Sequence, residues 1–342
     1  MGEIMDKVKI AVVGIGGISQ IVRIPTLKKM ENVDLVAICD IDEAKCSVIA
    51  DKFNIPKVYY DIQNLLKREE LDGIFICTPN NFHYPMALAT LDRGIPTLVE
   101  KPLALSLDQV NRINQKVQEK NTLLVVGMNY RFRDDAIVLK KFLEKNEIGE
   151  PYYIKSGWLR HWSRPEMQTW ITDSKISGGG VVMDMGIQLL DLSLWILNRP
   201  KIQHVHAYTY NLFMQGDVED SALVVIQTTS GAVVTIEVSW RMHLEKDVNY
   251  THVFGKEGGA FLNPLRMYKE MHGKLVNVTP VDFEPHTDIF KRSFINEIKN
   301  FINCIKGEEE PVTPVGDAVY IMKIIDAIYK SASQGKQIDF EE

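Results

Sequence analysis

No run of 18 consecutive apolar residues occurs in these 342 residues, so no membrane span is expected. Cysteine is scarce. Cys39, Cys46, Cys77 and Cys304 are the whole complement, and none form a C-x-x-C pair. Cys39 and Cys77 fall in apolar segments, where a thiol behaves as a small hydrophobe. A reduced, cytoplasmic setting is therefore expected. Charge runs are also missing. No block of five or more like charges appears and the net charge is −6, which argues against a nucleic-acid footprint and against polybasic membrane attachment. The N-terminal Met1–Lys7 lacks the apolar run of a secretion signal, and Asp6 stands where an N-myristoylation motif needs Ser or Thr. No internal repeat or low-complexity tract occurs. What remains is 45% hydrophobic and 25% charged, a globular composition with length enough for two domains.

The first 127 residues alternate short apolar runs with helical stretches. The predicted strands are Ile10–Val13, Leu35–Cys39, Gly73–Cys77, Thr97–Val99 and Leu123–Val126, with helices such as Glu43–Phe53 and Asp108–Glu119 between them. Nearly continuous apolar runs fit parallel strands covered on both faces, so the series predicts a doubly wound α/β sheet. From about Glu150 the texture changes to longer β-branched and aromatic segments: Tyr152–Trp158, His204–Leu212, Ser221–Thr229, Val233–Trp240 and Tyr250–Phe254. Val234, Ile236, Val238 and Trp240 alternate with polar or smaller residues, the two-residue period of a strand with one buried face. Thr229-Ser230-Gly231 reads as a hairpin turn, and Val181 to Leu197 as a long helix. An open, mainly antiparallel sheet with helices on one face is expected. The tail from Phe290 to about Gln334 returns to helical spacing, with Phe290, Phe294, Ile298, Phe301 and Ile305 as a core stripe. The division expected is 1–129 as a dinucleotide-binding Rossmann domain and 130–342 as an α+β domain for substrate and oligomerisation, with its C-terminal helices packing back on the first.

The most informative stretch is Lys9 to Ser19 read with Asp40. An apolar strand runs into Gly14-Ile15-Gly16-Gly17-Ile18-Ser19 and a helix start, and a second apolar run ends on Asp40. Backbone N–H groups of a first helical turn, aided by the helix dipole, make a phosphate site. Glycine allows the tight turn and the close approach of a pyrophosphate. An acid closing the second strand suits the hydroxyls of an adenosine ribose and repels a 2′-phosphate, so NAD is expected over NADP. Ser19 stands where Gly or Ala is usual, and methyltransferases that use S-adenosylmethionine share the loop and the acid.

Three further constellations carry polar groups. Cys77-Thr78-Pro79-Asn80-Asn81-Phe82-His83 follows a strand at the carboxyl edge of the sheet, where α/β proteins bind ligands. It reads equally as a turn and helix cap. Glu100-Lys101-Pro102 ends the strand Thr97–Val99. Partial desolvation there favours a neutral amine able to exchange protons, while Glu100 favours the charged form; a plain surface lysine is the alternative. Asp184, Gln188 and Asp191, spaced i, i+4, i+7, share one helix face after Gly178-Gly179-Gly180. Such a stripe suits a hydroxyl-rich ligand or simply faces solvent. His161, Tyr130 and His243 are further candidates for proton transfer. His204 and His206 alternate on a strand without a third ligand, so no metal site is expected.

The order of G-x-G-x-x-S, T-P-N-x-x-H, E-K-P, W-x-x-D-x-x-x-S-G-G-G (Trp170 to Gly180), D-x-G-x-x-x-x-D and the tail Pro311-Val312-Thr313-Pro314 resembles the Gfo/Idh/MocA oxidoreductases over nearly the whole chain. That family contains glucose–fructose oxidoreductase and inositol dehydrogenase. The resemblance implies hydride transfer between a nicotinamide cofactor and a hydroxyl-bearing carbon of a sugar, cyclitol or related polyol. It implies Lys101 as proton acceptor and donor, with Asp184 and Gln188 as its catalytic partners. It implies Gly14, Gly16, Gly17, Ile18, Asp40, Thr78, Pro79, Asn80, His83, Glu100, Lys101 and Asn129 around the cofactor, and Lys101, Trp170, Asp184 and Gln188 around the substrate. A homodimer or homotetramer built through the C-terminal sheet is implied as well. The family often has histidine where this chain has Gln188, and an amide neither donates nor accepts a proton as an acid or base. A non-catalytic dinucleotide-binding sensor is therefore the alternative reading.

Overall fold

A computed structural model describes residues 7–162, 170–283 and 288–340. Residues 1–6, most of the N-terminal segment considered above, lie outside these. The chain divides into two compact units, Met1–Met128 with Phe294–Tyr320 and Asn129–Ser293 with Ile321–Glu342.

Six parallel strands build the first unit: β1 (Val8–Val13), β2 (Val33–Cys39), β3 (Lys57–Tyr59), β4 (Gly73–Ile76), β5 (Thr97–Glu100) and β6 (Leu124–Gly127). Their order is β3-β2-β1-β4-β5-β6, so direction of winding reverses at β1, between β2 and β4. Helices cover both faces, which is why Ile10, Ala11, Val12, Ile74, Phe75 and Ile76 are all fully buried. β3 escapes the sequence reading because its three residues, Lys-Val-Tyr, make no apolar run. The helices start where their caps predict. Asp42 accepts from Lys45 N–H ahead of Glu43–Phe53, and Ser106 accepts from Gln109 N–H ahead of Leu107–Lys120. The expected C-terminal stripe is core. Ile298, Phe301 and Ile302 of the helix Ile289–Ile305 are fully buried with β1, and Phe301 meets Phe75 edge to face at 5.1 Å.

Nine strands form the sheet of the second unit: β7 (Pro151–His161), β8 (Ile202–Tyr210), β9 (Ser221–Thr228), β10 (Val233–Met242), β11 (Val248–Gly255), β12 (Gly258–Leu262), β13 (Arg266–Met271), β14 (Lys274–Asn277) and β15 (Ile338–Asp339). The order is β14-β13-β12-β11-β7-β10-β9-β8-β15, and β7 with β10 is its parallel pair. The turn at 229–231 joins β9 to β10 as expected, with Gly231 at φ +89°. The helix Ile187–Ile196 lies on one face, where Ser193 Oγ meets Ser156 Oγ of β7 at 3.0 Å. The other face is open and partly aromatic, with Tyr208 and Tyr210 about half exposed. Ser174–Ile196 is long and apolar enough to cross a membrane by length and composition, yet 89% of its apolar 18-residue window is buried, and it serves as core.

Candidate active site

The glycine loop sits at the reversal point of the first sheet. Gly14 adopts φ +86°, and a Cβ there would stand 2.5 Å from the Cys77 carbonyl oxygen. Both facts require glycine. A Cβ at Gly16 or Gly17 would instead meet nothing within 4 Å, so the loop backbone is open beside the first helical turn. Ser19 closes the loop from beneath: it is fully buried and its Oγ donates to Gly14 O at 2.6 Å. The unusual serine thus replaces a packing contact with a hydrogen bond. Ser19–Arg23 forms a π-helical turn before the short helix Ile24–Leu27, a geometry enriched at functional sites. Asp40 Oδ2 accepts from Ile15 N–H at 2.6 Å and Oδ1 from Asp42 N–H at 3.0 Å. Each oxygen retains a lone pair for a ribose hydroxyl. Open glycines over amide donors, with an acid at the neighbouring strand end, fit a dinucleotide.

Thr78 and Pro79 leave β4, and Asn80 lies buried in the turn Asn80–Phe82. His83 is fully buried. Its Nδ1 lies 2.7 Å from Pro102 O and its Nε2 2.8 Å from Thr78 O, so the imidazole ties the T-P-N loop to the E-K-P loop. Burial pushes the His83 pKa down while the two carbonyls oppose that. The neutral ring has one N–H and donates to one of the two carbonyls at a time, bridging the two loops. Asn81 Oδ1, by contrast, is buried without a hydrogen-bond partner. Glu100 accepts from Arg23 Nη2 at 2.6 Å, and Lys101 follows it at the end of β5. Ile18 packs partly buried against the core.

The second unit assembles the remaining candidates. Asp184 sits in a π-helical turn, Val182–Gly186, that leads into Ile187–Ile196. Trp240 of β10 donates its indole N–H to Asp184 Oδ2 at 2.9 Å. Tyr130, stacked on Trp158 at 5.8 Å, accepts from Asn249 Nδ2 at 3.3 Å. Its phenol is pushed well up by burial, with Arg133 and Asn249 opposing and the nearby Asp184 charge adding. Gln188 is buried and its Oε1 has no partner. Trp170 is exposed at the start of the short turn Trp170–Thr172. Asn129 donates to Ser293 Oγ at 2.8 Å and keeps a buried, unpartnered Oδ1. His161 and His243 flank Trp162, which stacks on the His243 ring at 6.4 Å.

One expectation is corrected here. Asp191 does not share a ligand-facing stripe with Asp184 and Gln188. It is buried and held by Arg131, whose Nε and Nη2 reach its two oxygens at 2.8 and 2.5 Å. The glycines before the helix also serve packing. A Cβ at Gly180 would stand 1.9 Å from Glu219 O, and one at Gly179 2.1 Å from the Tyr329 hydroxyl.

Sequence reasoning missed the acids at 217, 219 and 220, which resemble a solvated loop. Asp217 accepts from Ser174 N–H and Oγ–H. Glu219 accepts from the amides of Gly180 and Val182 and from the Tyr329 hydroxyl, each at 3.0 Å. Asp220 Oδ2 gathers the amides of Leu212, Phe213 and Met214. An acid run between two strands, with as many loop amides nearby to satisfy, was the available signal.

The profile of the Gfo/Idh/MocA oxidoreductases, "NAD-binding Rossmann fold", matches residues 8–128, and that of their C-terminal alpha/beta domain matches 140–340. The chain belongs to this family. It is an oxidoreductase with an NAD-binding Rossmann domain, which removes the methyltransferase alternative. D-glucoside 3-dehydrogenase of Escherichia coli is 24% identical over 346 residues, covering 97% of each chain. Myo-inositol 2-dehydrogenase of Thermotoga maritima is 27% identical over 344 residues, covering 98% of this chain and 99% of the other. The fold of levoglucosan dehydrogenase, solved with NADH, superposes with a TM-score of 0.87 at 19% identity, covering 98% of this chain and all of that one.

Proposed function

We propose that the protein is an NAD-dependent dehydrogenase of a sugar, cyclitol or related polyol. The observation that carries this reading is the hydroxyl-recognising set of the second unit: Asp184 oriented by Trp240, and Gln188 with a buried acceptor awaiting a donor. A polyol supplies such donors, and relatives named for glucosides and inositols agree. Bound NAD, held at the glycine loop and Asp40, supplies the hydride acceptor. Lys101 Nζ takes the proton of the reacting hydroxyl and returns it in the reverse direction. Asp184 and Gln188 hold hydroxyls and fix which carbon reacts. Since Gln188 moves no proton, Lys101 carries the acid–base work alone. Asp40 disfavours a 2′-phosphate, hence NAD over NADP. The open face of the nine-stranded sheet, with Tyr208, Tyr210 and Leu223 exposed, is assigned to assembly as a homodimer or homotetramer. Four unpaired cysteines suit the reducing cytoplasm.

The amide at Gln188 also favours a second reading, a sensor that binds the dinucleotide without turnover. NADH absorbance with myo-inositol, scyllo-inositol and methyl β-D-glucopyranoside separates the two. We expect turnover with at least one, and a loss of about 10² to 10⁴ in kcat for Lys101→Met with NADH binding retained. A panel without any turnover, in protein that still binds NADH, favours the sensor.

A further inference from the structure

The turn that carries Asp184 begins beside three backbone amides, those of Gly180, Val181 and Val182. Amides at a helix start have no acceptor within the helix. Here one residue takes all three. Gly180 N–H donates to Glu219 Oε2 and Val182 N–H to Oε1, each at 3.0 Å, and Val181 N–H donates to the Glu219 carbonyl at 2.9 Å. A carboxylate there also answers the positive end of the helix dipole. Asp184 hangs from the same point, because its own N–H donates to Gly180 O at 3.0 Å.

Glu219 is itself held. Tyr329 of the helix Val315–Gln334 donates its hydroxyl to Oε1 at 3.0 Å. Burial and then the Glu219 charge push that phenol well up, so it stays a donor. The neighbouring acids are engaged elsewhere, Asp217 with Ser174 and Asp220 Oδ2 with the amides of Leu212, Phe213 and Met214. Asp220 contributes through its backbone instead. Its carbonyl accepts from Trp240 N–H at 2.9 Å, and Trp240 donates its indole N–H to Asp184 Oδ2 at 2.9 Å. Two consecutive residues thus fix both sides of one hydrogen bond. Glu219 places the acid, and Asp220 places the indole that orients it.

We propose that Glu219 is a positioning residue for the polyol: through the Gly180 and Val182 amides it sets where Asp184 stands against Trp240, and with that which substrate hydroxyl the acid reaches. This role rests on the reading of Asp184 as a holder of substrate hydroxyls. In Glu219→Gln the side-chain oxygen keeps Val182 and Tyr329, and the new amide turns an N–H toward the Gly180 N–H. The start of the turn is released, and Asp184 moves off the indole.

Indole N–H resonances of the full chain, labelled with nitrogen-15, read that contact without any substrate. The chain has five tryptophans, and Trp240→Phe identifies the resonance of Trp240. In Glu219→Gln this resonance should move upfield, as its bond to a carboxylate weakens, while the other four hold. A Trp240 resonance that stays in place, or moves only together with the other four, overturns the proposal. Should the variant not fold, Glu219→Asp keeps the charge, draws the carboxylate back by one methylene and is read in the same way. Turnover supplies the second measurement. Misplacing a group by about 1 Å costs up to about 10²-fold, so kcat/KM for the polyol should fall by about tenfold to a hundredfold with the KM for NAD unchanged. The same change made in Asp184→Asn should cost no more than about twofold further, because its effect runs through that acid. An undiminished loss in that background, which a general structural defect gives, overturns the proposal. Wild-type protein that turns over no polyol defeats the reading of the site instead, and the Trp240 resonance alone then decides whether Glu219 places Asp184.

Discussion

Replacing Asp191 with alanine distinguishes a ligand from a scaffold. Asp191 and Arg131 are each 1% exposed at the side chain and joined by two short hydrogen bonds. Asp191→Ala leaves a guanidinium in the core of the second unit without its counter-charge. Breaking such a pair from one side costs about 3–5 kcal/mol. For a unit of this size, about 2–4 °C of melting temperature is lost per kcal/mol, so a fall of about 10 °C is expected by calorimetry. Replacing both partners with apolar residues, Arg131→Met with Asp191→Leu, should recover at least half of that loss, because the desolvation of two charges disappears with them. Had the acid faced substrate, as its spacing from Asp184 implied, the single variant would melt near wild type and raise KM instead. That outcome would refute the assignment of Asp191 to the core.

Trp240→Phe keeps the ring and removes the N–H that holds Asp184. A hydrogen bond to a charged acceptor contributes about 1.5–3 kcal/mol, so KM for the polyol should rise by about tenfold or more while NADH affinity is unchanged; an unaltered KM would show that the indole does not orient the acid. The pH dependence of stability follows from Glu297, which is 1% exposed on the helix Ile289–Ile305 and meets Arg23 Nη2 at 2.6 Å. Burial raises its carboxyl above the ordinary glutamate range against the pull of Arg23, so between its unfolded and folded titrations the folded form binds more protons and stability falls as pH rises. Glu297→Gln, which cannot ionise, should gain on wild type as pH rises from about 5 to about 8 in urea titrations, and parallel curves would contradict it.

Periodicity and glycine placement made the first sheet readable, because buried parallel strands must be apolar on both faces. β3 was hidden: an edge strand with a lysine and a half-exposed tyrosine has no such constraint. The strands of the second sheet nearest the helices were legible from their alternation. β12 to β14 were not, since glycines and charges break their pattern. Gly14, Asp40, Lys101 and Asp184 stood out because local geometry or motif order names them. The residues that hold them did not. Arg23, Arg131 and Trp240 act through partners 56 to 77 positions away, and no local spacing reveals a bond of that reach. Helical spacing placed Asp191 beside Gln188 correctly as a neighbour along the chain, yet a seven-residue offset on a helix that begins with a π turn turns the acid onto another face.

The turn bearing Asp184 hangs from the strand connection at 217–220 through the hydrogen bonds that the Gly180 and Val182 N–H groups donate to the Glu219 carboxylate. On the proposed role of Asp184, substrate preference is open to adjustment from a segment that need never meet a sugar, and selection for a new polyol should enrich changes at Val218, Glu219 and their neighbours.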